Sequence, residues 1–415
     1  MPHQTTPGKR ITRVWEVAAT TNAIIALADQ LTRQGIERVV VESTSDYWRG
    51  FVYLLEARGL CVWLVNARDA RAGPGPPQDR QAGCGVAGQA DRAGHAATLV
   101  CSPAEIRRLR DYTRLRVDLT HERTRYWQRL EKLLEDALIK VSSVASTLET
   151  ASVRDMLGAL IAGERDPKVL AGLARGRMRA KHAALVEALT GRFDDHHAEL
   201  TRMLLDQIDA LTAQMGTLTA RIQQLLAAIP AAQGVDADGS TGPSAGSGPG
   251  AAVLPAAARL DEITGIGPAA AQAVIAEVGL DMGVFPSPGQ LVSWARLCPR
   301  TIQSGTKTRA GATGKGNPYL RGVLGEAAAA AAKTDTFLGE RYRRLVKRRG
   351  KLKALVAIAR SILVIVWHLL ADPAARYHDL GAGYYTDRID KGKKARNHIR
   401  QLEALGFNVT LTPAA

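Results

Sequence analysis

ITRVWEVAATTNAIIALADQLTRQGIERVVVESTSDYWRGFVYLLEARGLCVWLVN, residues 11 to 66, switches its apolar period repeatedly. ITRVWEV alternates and predicts a strand. Thr21 is placed to cap a helix through Ile24, Leu27 and Leu31 that stops at Gly35. ERVVVE predicts a short strand ending at Glu42, and Asp46 opens a second helix through Phe51, Leu54 and Leu55 to Gly59. LCVWLV predicts a third strand ending at Asn66. Strands alternating with helices imply a parallel sheet with helices packed on it. Ligands of such sheets gather beyond the carboxyl ends of the strands, where Glu42 and Asn66 fall.

Outward from this block the pattern breaks. Residues 69 to 101 are almost all Ala, Gly, Pro, Arg and Gln, with no usable period. A structureless loop of that length is unusual inside a compact domain, and such text is also what GC-rich DNA yields out of frame. From Pro103 to about Val141 the chain reads as a charged helix with Leu109, Leu119, Tyr126, Leu130, Leu133 and Leu134 among its apolar positions. Short helices follow over 151 to 191. Leu204, Ile208, Leu211, Met215, Leu218, Ile222, Leu225 and Ile229 then recur at spacings of four and three. That seam fits a coiled coil or helix hairpin, and equally the core stripe of a bundle. Pro230 to Ala252 is a Gly/Pro/Ser/Ala linker. A second globular stretch runs from about Leu254 to Asp372, and a basic tail follows.

The chain of 415 residues carries a net charge of +15, which points to a polyanionic partner, most often nucleic acid. Four cysteines without CxxC spacing argue against a zinc ribbon or a secreted disulfide framework. The start has no apolar signal core, and the apolar run near Ile362 to Leu370 is short for a bilayer span. A soluble, cytoplasmic protein is expected.

Two stretches carry chemistry. Leu260 to Gly279, LDEITGIGPAAAQAVIAEVG, fits a helix-hairpin-helix. Gly265 and Gly267 permit a tight turn and close approach of a ligand, Pro268 suits a first helical turn, and the free N–H groups there favour phosphate. A plain helix connection has the same glycines; the basic chain favours contact with a DNA backbone. Further on, Ser304 lies in QSGTKTR, residues 303 to 309, followed by GKGNPYLR from Gly314. Most Ser-Gly pairs only punctuate loops. The functional alternative is covalent catalysis, with the serine oxygen attacking a phosphodiester. Lys307, Arg309, Lys315 and Arg321 are candidates to offset the charge that develops. The run Arg341 to Lys353 is a one-signed basic helical stripe suited to phosphate.

These residues resemble the insertion-sequence 110 family of transposases (the 110/116/902 group) over most of the chain. The resemblance rests on VVVESTSDYW (Val39 to Trp48), the Thr264 to Gly279 turn, FPSPGQLVSWARLCPRTIQSGTKT (Phe285 to Thr308) and GKGNPYLRGVLGEAA (Gly314 to Ala328). It implies an α/β, RuvC-like and RNase H-like N-terminal domain, a helical coiled-coil middle, and a mainly α C-terminal domain with a helix-hairpin-helix and a catalytic serine. By the same resemblance Ser304 is the nucleophile and Glu42 a metal-site residue among carboxylates that hold Mg2+. DNA (element ends and target), a structured guide RNA and a second copy through the coiled coil are the implied partners.

The chain also departs from the family. No residue matches the first aspartate, which the family carries on an opening strand. The family's second acidic pair is replaced by Pro77 to Cys84, where Asp79 does not stand in for it. Compensating frameshifts over 69 to 101 would account for this, leaving an incomplete metal site with Glu42 as its remnant. The expected organisation is a truncated RuvC-like domain over 1–102, a helical region over 103–229, a linker over 230–253, the serine domain over 254–372 and a basic tail over 373–415. The reading from another class is a catalytically impaired DNA- or RNA-binding remnant or helix-hairpin-helix protein.

Overall fold

The computed structural model describes residues 14–43, 47–66, 98–99, 102–234, 253–304, 306–388 and 391–411. Among these residues the chain is mostly helical with two small sheets, and it divides into two compact units, Met1–Pro103 and Ala104–Ala415.

In the first unit, α1 (Thr21–Arg33) and α2 (Trp48–Ala57) accompany the strands β1 (Arg38–Ser43) and β2 (Cys61–Asn66). Left-handed glycines end both helices, Gly35 at φ +66° and Gly59 at φ +79°. β1 and β2 pair in parallel, Val39 opposite Val62 and Glu42 opposite Val65. Val39, Val41 and Val62 pack with Ala28, Leu31, Phe51 and Leu55 into a small core. Glu42, two positions on from Val40, therefore lies on the sheet face turned away from that core, at the carboxyl end of its strand.

Three expectations change here. Residues 14–18 form no strand, and Val14 and Trp15 are exposed. An alternating pattern permits a strand but supplies no partner, and the third strand is instead β3 (Thr98–Leu99), antiparallel to β2. The sheet is thus mixed rather than parallel. The first cap position is Thr20, not Thr21. Asp46, Asp79 and nearly all of the 69–101 segment lie outside the described residues.

The second unit is built on two long helices, α3 (Ala104–Asp136) and, after an intervening helical segment, α7 (Asp195–Ala227). Arg116 reaches Thr219, Thr120 reaches Met215 and Asp136 reaches His197, so the pair runs antiparallel. On α3 the buried positions Ile106, Leu109, Thr113 and Arg116 keep three- and four-residue spacings, and Leu130 and Leu134 resume the stripe fourteen residues on. The facing stripe of α7 is Thr201, Leu205, Ile208, Leu211, Leu218, Ile222 and Leu226. Leu204 and Leu225 of the expected seam are only half-buried, displaced by Leu205 and Leu226. The seam is covered within the chain as a helix hairpin, and its burial does not call for a second copy.

Between the two long helices lie α4 (Ala151–Ile161), α5 (Pro167–Gly172) and α6 (His182–Ala188). Thr150 caps α4 and Asp166 caps α5, which starts on Pro167. Met156, Leu157, Leu160, Leu170 and Leu185 form a local core with Leu130, Leu134, Leu205 and Ile208 of the long pair.

The rest of the unit holds α8 (Ala256–Asp261), α9 (Pro268–Val278), α10 (Pro288–Trp294), β4 (Pro299–Ser304), β5 (Lys307–Thr313), α11 (Pro318–Ala331), α12 (Phe337–Arg349) and α13 (Lys351–Ala371). The small α14 (Tyr384–Asp387) and the exposed α15 (Lys391–Ala404) complete the chain. α9 is buried from Ala271 to Val278, since its alanines let neighbours approach on every side. At 21 residues α13 is longer than its apolar run suggests, long and apolar enough to cross a membrane by length and composition. Here it packs against α8, α10, α11 and α12 and buries Ile358, Ile362, Leu363 and Val366.

Gly234 abuts Val253. Just beyond, the buried Arg259 guanidinium donates to the carbonyls of Leu254 (3.1 Å), Asp372 (2.9 Å) and Leu369, closing the C-terminus of α13. Burial pushes its pKa below the ordinary value. Arg259→Met strands those carbonyls, so a loss of about 2–4 kcal/mol in unfolding free energy is expected in urea titration.

Candidate functional site

β4 and β5 form an antiparallel hairpin, PRTIQS and KTRAGAT, joined by the two residues Gly305-Thr306. A glycine first in a two-residue connection suits a hairpin turn. The QSGTKTR stretch, whose Ser-Gly pair suggests loop punctuation, is therefore strand on either side of a short connection: Thr and Ile favour it, and the connection fixes the register. Ser304 pairs with Lys307, Gln303 with Thr308 and Ile302 with Arg309. Opposite positions, and positions two apart, share one face of a ladder. Positions 302, 304, 307 and 309 therefore share a face, with a cation opposite the serine and another diagonal to it. Ile302, Thr306, Lys307 and Arg309 are exposed. The described side chains of this hairpin contribute nothing to the core, so its sequence is free to serve contact with something else.

The hairpin is held at its base. β4 follows Arg296, whose left-handed φ of 57° ends α10. A side chain on Gly316 would come within 2.5 Å of the Ala295 carbonyl, so this glycine of GKGNP lets the loop after β5 lie on the end of α10. Lys315 is exposed, and Arg321 donates to the Gly314 carbonyl at 3.2 Å. Asn317 caps α11, accepting from the N–H groups of Tyr319 (3.0 Å) and Leu320 (3.2 Å).

The glycine turn sits elsewhere. Gly265 has φ +92°, and a Cβ there would overlap the Ala327 carbonyl and the Ala331 nitrogen of α11. The close approach it permits is to a helix. Gly267 is the N-cap of α9, open around its α-carbon and without a side-chain cap, so the α9 N-terminus keeps its anion-favouring character. Ala327 lies about 14 Å along α11 from its first residue, by the rise of a helix. Gly265 and Gly267 are therefore not beside the Lys315 loop, and a single phosphate does not touch both.

α12 presents the basic stripe. Arg343 is paired with Glu340 and Asp335, whereas Lys347, Arg348, Arg349, Lys351 and Lys353 are exposed. Arg344 stacks over Tyr385 at 4.1 Å, Arg388 over Tyr384 at 3.7 Å, and Arg341 donates to the Tyr385 hydroxyl at 2.9 Å. The contacts of Arg344 and Arg341 with Tyr385 dock α14 on α12.

Among the described residues one group has metal-ligand character, Asp136, His196 and His197, and it does not include Glu42. His197 is buried, and both of its ring nitrogens are engaged. Nδ1 accepts from the Asp194 N–H at 3.2 Å, which leaves the Nε2 proton to be donated to Asp136 at 3.2 Å. Coordination through Nε2 would force the proton onto Nδ1, against an N–H donor. The trio fits a helix cap better than a metal site.

Reading the sequence missed Glu277. Its carboxylate, buried at the end of α9, accepts from Arg114 Nε (2.7 Å) and Nη2 (2.8 Å) and from the Asn317 amide. Hydrogen bonding to Glu277 raises the Arg114 pKa. The available signal was a lone carboxylate inside the apolar AVIAEVG.

Two family profiles match the chain. The Transposase IS116/IS110/IS902 family profile covers residues 257–343, and a DEDD transposase profile of the IS110 type covers residues 3–139. No curated protein matches it. A basic chain with these two segments is a transposase, an enzyme that binds and cuts DNA. It belongs to the IS110/IS116/IS902 family of insertion-sequence transposases. The DEDD match brings divalent-metal use with it.

Proposed function

We propose that this transposase cuts and rejoins DNA through a phosphoserine intermediate on Ser304. The observation that carries this is the β4–β5 register, which places a serine opposite Lys307 and diagonal to Arg309 on an exposed, cationic hairpin. The serine oxygen forms a bond to phosphorus as a deoxyribose oxygen leaves and takes up the serine's proton; a second strand end then reverses the exchange. Lys307 and Arg309 offset charge on the phosphoryl oxygens, and Lys315 and Arg321 hold the flanking backbone. Gly267 at the start of α9, within a helix-hairpin-helix, takes a phosphate farther along the duplex. The exposed cations of α12 suit a second nucleic acid, the structured guide RNA that the family resemblance implies.

A nicked suicide duplex of the element end tests the assignment. The parent is expected to give a covalent protein–DNA band and Ser304→Ala none; equal bands would overturn it. Lys307→Ala and Arg309→Ala are each expected to lower the slope of log affinity against log salt by about 1. Unchanged slopes would remove them from the phosphate contact.

The N-terminal unit is read as RNase H-like, with Glu42 its metal ligand. One carboxylate at the end of β1 is a poor site for a hard dication that needs several oxygens. Titration calorimetry is expected to show Mg2+ binding no tighter than the millimolar range, at the weak extreme of the oxygen-ligand sites. Tight binding of two ions would show that the acidic set is complete.

A further inference from the structure

Three helices meet at one carboxylate. Besides Arg114 and Asn317, Glu277 has Arg110 Nε at 3.6 Å, and Arg110 also donates to the carbonyls of Ala276 (2.9 Å) and Glu277 (3.3 Å). The Glu277 side chain is 2% exposed, so its charge is satisfied from within the protein. Arg114 in turn lies over the Tyr319 ring at 4.9 Å, and the Tyr319 hydroxyl donates to Asp118 at 3.0 Å. α3 is thereby fastened to α9 and to the first turn of α11.

A buried ion pair is a poor device for stability, because an apolar group of similar volume often serves as well. What it supplies is direction. Asn317 follows β5 by a few residues, with Gly316 wedged on the end of α10 before it. Asn317 spends its oxygen on capping α11 and its amide on Glu277. A shift of α9 or α3 therefore moves the root of the strand that bears Lys307 and Arg309. α3 begins at Ala104, the residue after the N-terminal unit ends.

We infer that Glu277 is a positioning residue, acting through Asn317 to fix the serine hairpin to α3. The inference rests on the phosphoserine reading. It makes the orientation of the hairpin depend on the Arg114–Glu277–Asn317 relay and not on the described side chains of the hairpin, none of which enters the core.

The relay can be broken and rebuilt without touching the hairpin. Asn317→Asp keeps a capping oxygen but sets a second carboxylate against Glu277. Glu277→Gln removes the charge that Arg114 meets. Together they reverse the hydrogen bond between the two side chains: the new amide at 277 donates to the new carboxylate at 317, its oxygen keeps the bond from Arg114 Nε while that from Nη2 is lost, and the negative charge is retained. In the full-length protein, with saturating suicide duplex, each single variant is expected to slow covalent capture on the order of 10- to 100-fold. The double variant should return to within about threefold of the parent. Affinity for the duplex should move little across the set; the thermal midpoint should fall in each single variant, by less than would account for the lost rate, and recover in the double variant.

Parental capture at Ser304 with unchanged rates in the singles would overturn the relay. So would rates that fall only in step with lost stability, with no recovery in the double variant. If the parent forms no serine adduct at all, the phosphoserine reading falls and takes the relay with it.

Discussion

Ser304→Ala is expected to slow strand exchange between element ends at least about a thousandfold, because the covalent step loses its nucleophile. Binding of the same DNA should change by less than about threefold, since a neutral hydroxyl contributes little beside the cations around it. The two readouts separate the competing accounts. A remnant that only binds nucleic acid would show equal affinity and no exchange in either protein. An enzyme working solely through carboxylates and a metal would exchange strands equally well with and without the hydroxyl. The exposed hairpin makes the comparison clean, because the described residues around Ser304 carry no core contacts whose loss would confuse folding with chemistry.

Gly265→Val is expected to destabilise the second unit by about 3–5 kcal/mol, through a disfavoured backbone and a forced overlap. The backbone at Gly265 is left-handed, and the added atoms would enter the space of the Ala327 carbonyl and the Ala331 nitrogen. Chemical denaturation followed by helix circular dichroism measures the shift. Gly267→Ala serves as the contrast, with open space at its α-carbon and an extended φ of −108°. It should cost no more than about 1 kcal/mol. If the two substitutions were equally mild, the reading of Gly265 as a packing glycine would fail.

The alternation of periods over residues 11 to 66 was enough to place α1, β1, α2 and β2, because each apolar stripe meets a core. Over residues 14 to 17, the described part of the expected first strand, it misplaced the strand, since alternation says nothing of a partner. The long helices were legible from their stripes, but a stripe does not say what covers it. Only the contacts of Arg116, Thr120 and Asp136 show that α3 closes the α7 seam within the chain. The serine was legible as a reactive group in a cationic setting. Its hairpin was not, because QSGTKTR has no apolar alternation, and Gly-Thr as a two-residue turn was the one available sign. Glycines divided: Gly35 and Gly59 were legible as helix stops, whereas Gly265, which reads as a ligand-binding turn, serves helix packing. Glu277 was hidden for a different reason. A buried carboxylate declares itself only through partners, and Arg114 and Asn317 lie far from it in sequence.

Tryptic mapping of the trapped protein–DNA adduct tests the central claim most directly. Cleavage after Arg300 and Lys307 releases TIQSGTK, residues 301 to 307, and fragmentation separates Ser304 from Thr301 and Thr306. The nucleotide remnant is expected on Ser304. A remnant on any other residue, or strand joining that proceeds with no protein-bound nucleotide, would contradict the account.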